Sequence, residues 1–220
     1  MNKTSYDIDI CTNALPKNVK ELFKNCELTS YGNVFFKLKK YDFEITTYRK
    51  ELKYENRRPK EVVYINNLIE DLLRRDFTIN TICLNQNNEI IDLLDGVEDI
   101  KNRTLKIVGD PDLKLKEDPL RILRAIRFAT VLDFDLDSNL QDSIFRNKYL
   151  LRDLSFYRKK QELESLKNEL IIKDKIADLE FKKNKYDITV NTVAYLSLII
   201  KLATLNIKPL GAICDLKFIW

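Results

Sequence analysis

Tyr6-Asp7-Ile8-Asp9-Ile10-Cys11-Thr12-Asn13-Ala14-Leu15-Pro16 is the stretch that decides the fold of this chain. Polar and apolar residues alternate through Ile10 with the period of two that marks a strand. Thr12 to Pro16 has the composition of a turn, and Lys17 to Phe23 follows as a helical run. On such a strand Asp7 and Asp9 project from one face, with Cα atoms roughly 6 to 7 Å apart. Ile8 and Ile10 are expected to hold the opposite face in the core. Two hard oxygen donors at that spacing suit divalent cations, and magnesium prefers carboxylates supplemented by waters and substrate phosphates. Taken alone, the same pattern also describes the solvated face of an edge strand.

Outward from this strand, Asn33 to Leu38 and Tyr41 to Thr47 are β-branched and aromatic runs, short and alternating enough to be neighbouring strands. Leu68, Ile69, Leu72 and Leu73 line one face of a helix ending near Arg75. Phe77 to Leu84 is expected to return toward Glu89 to Leu93 across the polar turn Asn85 to Asn88. Gly109-Asp110-Pro111 marks a turn. Glu117-Asp118-Pro119 is a helix start, with an acidic cap and proline at the first helical position, so Leu120 to Leu132 is expected to be helical. A further start lies near Asp137 or Ser138, and Ser155 to Leu170 has helical periodicity. The chain is thus α+β up to about residue 110 and helical after it.

Composition removes much of enzymology. The 220 residues contain no histidine, which excludes Ser-His-Asp and Cys-His catalysis and histidine-ligated zinc. The four glycines are too scattered for a dinucleotide-binding G-x-G-x-x-G or a phosphate-cradling G-x-x-x-x-G-K. Cys11, Cys26, Cys83 and Cys214 lack C-x-x-C spacing and no secretory signal is evident, so a reduced cytoplasmic protein is expected. Val193 to Ile207 is the most apolar stretch, but Lys201 and Asn206 interrupt it. It fits a core helix and not a membrane span. A net charge of +4 permits an anionic partner without demanding one.

Together these stretches resemble the class II tRNA nucleotidyltransferases (CCA-adding enzymes) and bacterial poly(A) polymerases, a branch of the polymerase-beta-like nucleotidyltransferases. The opening run resembles their metal-binding strand and the helix after it. Glu44-Ile45-Thr46-Thr47-Tyr48-Arg49 resembles the neighbouring strand, Glu70 to Asn80 the ribose-recognising motif, Asp92 to Asp99 the hinge segment, and Glu117 to Ala129 the base-reading helix. The motifs come in the family's order over about residues 6 to 170. The resemblance implies a polymerase-beta-like head over residues 1–113, an all-helical neck over 114–165 and a partial helical body over 166–220. It also implies a cytoplasmic enzyme that uses Mg2+, CTP and ATP to add C and A to the 3′ end of tRNA. Poly(A), CC-only and A-only addition use nearly the same motifs.

Each motif has a physical rationale beside the resemblance. Asp7 and Asp9 would hold the metal, and Glu44 is either a third carboxylate that helps deprotonate the attacking hydroxyl or a surface residue. Arg75 and Asp76 supply a cation for triphosphate oxygens and an acceptor for a ribose hydroxyl, with Arg74 facing solvent; alternatively the arginines complement a helix dipole. Asp118 and Arg121 lie three apart on one helical turn. An acceptor beside a donor matches the Watson–Crick edges of cytosine and adenine and mismatches uracil and guanine, where each unsatisfied group costs about 1 to 3 kcal/mol. Asp118 also suits an ordinary helix cap. Arg124 and Arg127 extend the stripe toward the triphosphate or RNA backbone, or form a solvated basic face. Arg57, Arg58, Lys60, Lys148, Arg152, Arg158, Lys159 and Lys160 are basic side chains of the kind that either contact RNA phosphates or only solubilise.

The resemblance also sets an expectation about extent. Family members carry a helix, a Gly-Gly loop and an Arg-Asp pair upstream of the metal-binding strand, implied to hold the incoming triphosphate. Met1 to Tyr6 would span roughly 9 Å as a helix, too little for that element. Two expectations follow: a piece of a longer active enzyme, or a catalytically inactive RNA-binding remnant.

Overall fold

The structure, a computed structural model, describes residues 7–23, 25–55 and 58–181. Val193 to Ile207 lies outside the described residues, as does the rest of the expected body beyond residue 181. The fold divides into two compact units at the Arg75–Asp76 junction.

The first unit contains β1 (Asp7–Thr12), α1 (Pro16–Leu22), β2 (Glu27–Leu28), β3 (Asn33–Leu38) and β4 (Tyr41–Thr47), then β5 (Arg49–Glu55), β6 (Arg58–Tyr64) and α2 (Leu68–Leu73). The main sheet has the order β1-β4-β3-β2, with β1 parallel to β4 and the other pairs antiparallel. Thr12 Oγ1 accepts from Ala14 N at 3.1 Å, and Pro16, which has no N–H to leave unpaired, opens α1. Val19 of α1 packs on Val34 and Ile45, while Phe36 stacks between Phe23 and Phe43 with centroids 4.3 and 4.9 Å away.

Ile8 and Ile10 do not enter this core as the alternation led us to expect. Ile8 is half-buried and Ile10 is 40% exposed. The reason is placement: α1 contacts β3 and β4, whereas β1 is an edge strand among the described residues. The β5–β6 hairpin has no counterpart among the predicted elements. Its first strand, Arg49-Lys50-Glu51-Leu52-Lys53-Tyr54-Glu55, carries few apolar residues, and its extended form comes from pairing with β6.

A buried carboxylate ties the hairpin to α2. Asp71 is fully buried and accepts from Arg49 N at 3.1 Å, Arg74 Nε at 2.9 Å and, at 3.4 Å, Arg75. Arg74 also lies 3.4 Å from Glu51, so it faces this cluster and not solvent. An unpaired buried carboxylate would be expensive, which explains why the arginines turn inward.

The second unit opens with a 3-10 turn at Thr78–Asn80. Its further elements are β7 (Cys83–Leu84), β8 (Ile90–Ile91), α3 (Gly96–Lys101), β9 (Thr104–Leu105), α4 (Pro111–Glu117), α5 (Leu120–Leu132), β10 (Asp135–Leu136), α6 (Ser138–Asn147) and α7 (Phe156–Phe181). The predicted return from Phe77 to Leu93 shrinks to a two-residue antiparallel pairing of β7 with β8, because the Thr78–Asn80 turn takes up the start of the run. The stretch after residue 110 is not purely helical either, since β10 pairs in parallel with β9. Gly109, at φ +75, forms the expected turn, and Asp110 then caps a helix the sequence reading missed, accepting from Leu113 N at 2.8 Å.

Helices α5 and α6 run as the capping and periodicity indicated, and α7 continues to Phe181, past the expected end at Leu170. Asp137 caps α6 by accepting from Asn139 N at 3.1 Å. Ile122, Ala125, Ile126 and Ala129 form the buried stripe of α5, which packs on Leu166 and Leu170 of α7 within the main core. Helices α4 and α6 are joined by Asp112, which accepts from Arg146 and Ser143, both at 2.7 Å, and from Asn147. The bonds from Arg146 and Ser143, assisted by Asn147, outweigh desolvation and lower the Asp112 carboxyl to about 2.

Two stability predictions follow from this packing. A Cβ added at Gly96 would lie 2.3 Å from the Thr78 carbonyl oxygen, a backbone atom that cannot swing away. Gly96→Ala should therefore destabilise the second unit by about 1 to 3 kcal/mol, read as a lower urea midpoint at unchanged slope. Asp112 has a folded pKa below its ordinary 3.8, so the stability it contributes is present above pH 3.8 and lost as pH falls through about 2. Asp112→Asn should melt below the unsubstituted chain at pH 7, and the gap should close between about pH 4 and pH 2. A gap that stays constant over that range would remove the ionised carboxylate from the account.

Candidate active site

The parallel register of β1 and β4 sets Asp7 beside Asp42 and Asp9 beside Glu44. Paired residues in a sheet share a face, so these four carboxylates stand together on the side opposite Val34 and Ile45. Like charges on adjacent strands repel, and two contacts offset this. Lys37 Nζ lies 3.2 Å from Asp42, and Asn33 Nδ2 donates to Glu44 Oε1 at 2.5 Å. The structure thus brings Asp7, Asp9 and Glu44 together as expected and adds Asp42.

Asp7 and Asp9 are exposed. Among the described residues no three potential ligands converge tightly enough to form a closed metal centre. Two adjacent hard-oxygen donors with an open side fit magnesium, which keeps waters and takes phosphate oxygens, better than an ion that wants an all-protein cage.

Arg75 is partly exposed at the end of the first unit, with its guanidinium 3.4 Å from Asp71. Asp76 opens the second unit and is held on several sides. It accepts from Phe77 N at 2.8 Å, from Asn80 Nδ2 at 3.0 Å and from Arg124 Nε at 2.8 Å, with Arg124 NH2 at 2.6 Å. Burial pushes its carboxyl up, but Arg124 with the Asn80 and Phe77 bonds outweighs that and leaves it below the usual carboxylate range. Asp76 is therefore an ionised acceptor of fixed direction.

The α5 arginines are not a solvated stripe. Arg124 pairs with Asp76, and Arg127 donates to Glu162 at 3.0 Å and to Glu169 while stacking 4.4 Å from the Phe128 ring centroid. Arg127 is mostly buried, and its ion pairs hold α5 against α7, which speaks for a packing role and not for reaching a triphosphate. Arg121 is also buried; its NH1 donates to the Lys114 carbonyl at 2.7 Å and to Glu117 at 2.8 Å. Asp118 accepts from Leu120 N at 3.2 Å, so it is the helix cap. Its carboxylate also lies 3.2 Å from Arg158 of α7. The two candidate base-reading side chains thus share a helical turn, yet each is held by a different partner.

Sequence reasoning missed Asn33 and Glu162 altogether and placed Arg158 among the general surface cations. No local signal could have found them, because their partners are 11, 35 and 40 residues away. Arg57 lies outside the described residues. A polar recess of about 360 Å³ in the second unit, lined by Lys106, Asp110, Asp137 and Arg146 among others, touches none of the expected site residues.

Comparison with known proteins agrees with this geometry. Residues 1–106 match the poly A polymerase head domain. A CCA-adding enzyme of Bacillus pumilus is 44% identical over 163 residues, which are 73% of this chain and 41% of that protein. The CCA-adding enzyme of Enterococcus faecalis is 41% identical over 161 residues, covering 72% and 40%. The chain therefore spans about two fifths of the length of the curated relatives it matches. The crystal structure of the Bacillus stearothermophilus CCA-adding enzyme in complex with CTP superposes with a TM-score of 0.65 at 34% identity, over 73% of this chain and 39% of that one. Through residues 1–106 this chain carries the head domain of the poly A polymerase family, and over its matched length it is similar to CCA-adding enzymes.

Proposed function

We propose that this chain carries the catalytic part of a cytoplasmic CCA-adding enzyme, which transfers C and A from CTP and ATP to the 3′ end of tRNA. The observation that carries the reading is the β1–β4 register, which gathers Asp7, Asp9 and Glu44 on one open sheet face. The similarity to CCA-adding enzymes, one of them solved with CTP, supports the choice of reaction. Among the described residues no helix is long and apolar enough to cross a membrane. In this reading residues 1–113 are the head, 114–165 the neck and 166–220 the start of the body.

The reaction is an in-line attack of the RNA 3′ hydroxyl on the α-phosphate, with pyrophosphate leaving. Magnesium held by Asp7 and Asp9 would supply charge neutralisation at the phosphates and a lowered barrier to ionising the hydroxyl. Glu44, beside Asp9, accepts or orients the hydroxyl proton and would lend its negative charge to the ion held there. Arg75 offers a cation to the triphosphate, and Asp76, aimed by Arg124 and Asn80, accepts from a ribose hydroxyl. Asp118 accepts from the exocyclic amino group of cytosine or adenine, and Arg121, released from the Lys114 carbonyl and Glu117 that hold it in this structure, donates to the bare ring nitrogen beside it. Arg158, 3.2 Å from Asp118, orients that carboxylate.

Incorporation of labelled CTP and ATP into tRNA lacking its 3′ CCA tests the reading. It is run on this chain and on a chimera extended with the segments of a curated relative that lie outside the match. Metal-dependent addition of C and then A is expected. Asp7→Asn should reduce it by about two orders of magnitude or more, and Asp118→Asn should relax the choice of base while leaving chemistry measurable. Full activity in Asp7→Asn, or unchanged base choice in Asp118→Asn, would overturn the corresponding assignment. Long A tracts without C would make the protein a poly(A) polymerase instead.

A further inference from the structure

Glu44 hangs from a short relay of side chains that the reaction scheme does not use. Asn33 begins β3 and lies opposite Thr46, so its side chain is a diagonal neighbour of Glu44 on the carboxylate face. Its Nδ2 donates to Glu44 Oε1 at 2.5 Å, and its Oδ1 accepts from Arg49 NH1 at 2.5 Å. A carboxamide between a cation and an anion has one satisfactory orientation, oxygen toward the cation and nitrogen toward the anion.

Arg49 is itself fixed. It is 9% exposed, its Nε donates to Glu51 at 3.2 Å, its NH1 also donates to the Tyr31 carbonyl at 3.0 Å, and its backbone N–H donates to buried Asp71. The Glu44 carboxylate, by contrast, makes no other hydrogen bond or ion pair among the described residues. Asn33 thus holds one of its oxygens from behind, on the face it shares with Asp9.

We propose that Asn33, anchored by Arg49, is a positioning residue that sets the direction of the Glu44 carboxylate toward whatever Asp7 and Asp9 hold. The inference rests on the proposed assignment of that face to metal-dependent nucleotidyl transfer. Asn33 touches neither substrate nor metal; it acts by removing the rotational freedom of Glu44, so the productive direction does not have to be found on each encounter.

The test is Mn2+ binding to this chain, read from the electron paramagnetic resonance signal of free Mn2+, with melting temperature as the check on folding. Unsubstituted chain, Asp7→Asn, Glu44→Gln, Asn33→Leu and the Asn33→Leu/Glu44→Gln double variant are compared. Asn33→Ser serves if Asn33→Leu does not fold, since its shorter hydroxyl cannot span Arg49 and Glu44. Asn33→Leu is expected to weaken binding about tenfold, about as much as Glu44→Gln, and the double variant to be no weaker than Glu44→Gln alone. Wild-type affinity in both Asn33 variants, additive losses in the double variant, or a silent Glu44→Gln would each overturn the inference while Asp7→Asn still abolished binding. Binding that ignores Asp7→Asn would instead remove the metal assignment of the face, and the inference with it.

Discussion

The parallel pairing of Asp7–Thr12 with Tyr41–Thr47 is the constraint on which the candidate site depends, because side chains alternate across a strand and a slip of one residue exchanges its faces. In the observed register Asp9 meets Glu44 and Asp7 meets Asp42. One residue out, the acids of β1 would stand beside Phe43 and Ile45, on the face that α1 covers with Val19. Burial of Val34, Ile45 and Val19 on one side therefore fixes the acids on the other. The hydrophobic term chooses the register, and the register assembles the chemistry.

What the sheet gathers, side-chain ion pairs then aim. In the first unit Asp71 is sequestered by Arg74, Arg75 and the backbone of Arg49, and Arg49 reaches Glu44 through Asn33. In the second unit Arg124 aims Asp76, Arg158 meets Asp118, and Glu162 and Glu169 take up Arg127. Partly buried pairs of this kind contribute little net stability once desolvation is counted, but they restrict direction. A site that recognises a base edge or a ribose hydroxyl depends on such restriction, since a misdirected acceptor discriminates poorly.

Much of the fold is legible in the sequence. The first strand, the two central strands, the acidic starts at Asp118 and Asp137, and the long α5 and α7 followed from alternation, proline and acidic caps, and helical periodicity, whereas Asp110 was read only as part of a turn and the helix it caps was not foreseen. These are local signals: a cap bonds within three residues and a periodic stripe repeats within four. The β5–β6 hairpin and the short β9–β10 pairing were not legible, because their extended form is imposed by a partner strand and not by their own composition. Burial of Ile8 and Ile10 was overestimated for a related reason, since alternation states which face is apolar but not whether anything covers it.

The same division holds for the site. The sequence by itself determined which residue types were available, excluding histidine chemistry outright and placing Asp7 with Asp9, and Asp118 with Arg121, at spacings that share a face. Spacing along one element is covalent geometry and survives any tertiary arrangement. Only the tertiary structure decided that Glu44 stands beside Asp9, that Asn33 and Arg49 stand behind Glu44, and that Asp118 meets Arg158 while Arg121 turns to Glu117. Those partners are chosen by strand register and helix packing, and both are set by burying apolar surface far from the charges they bring together.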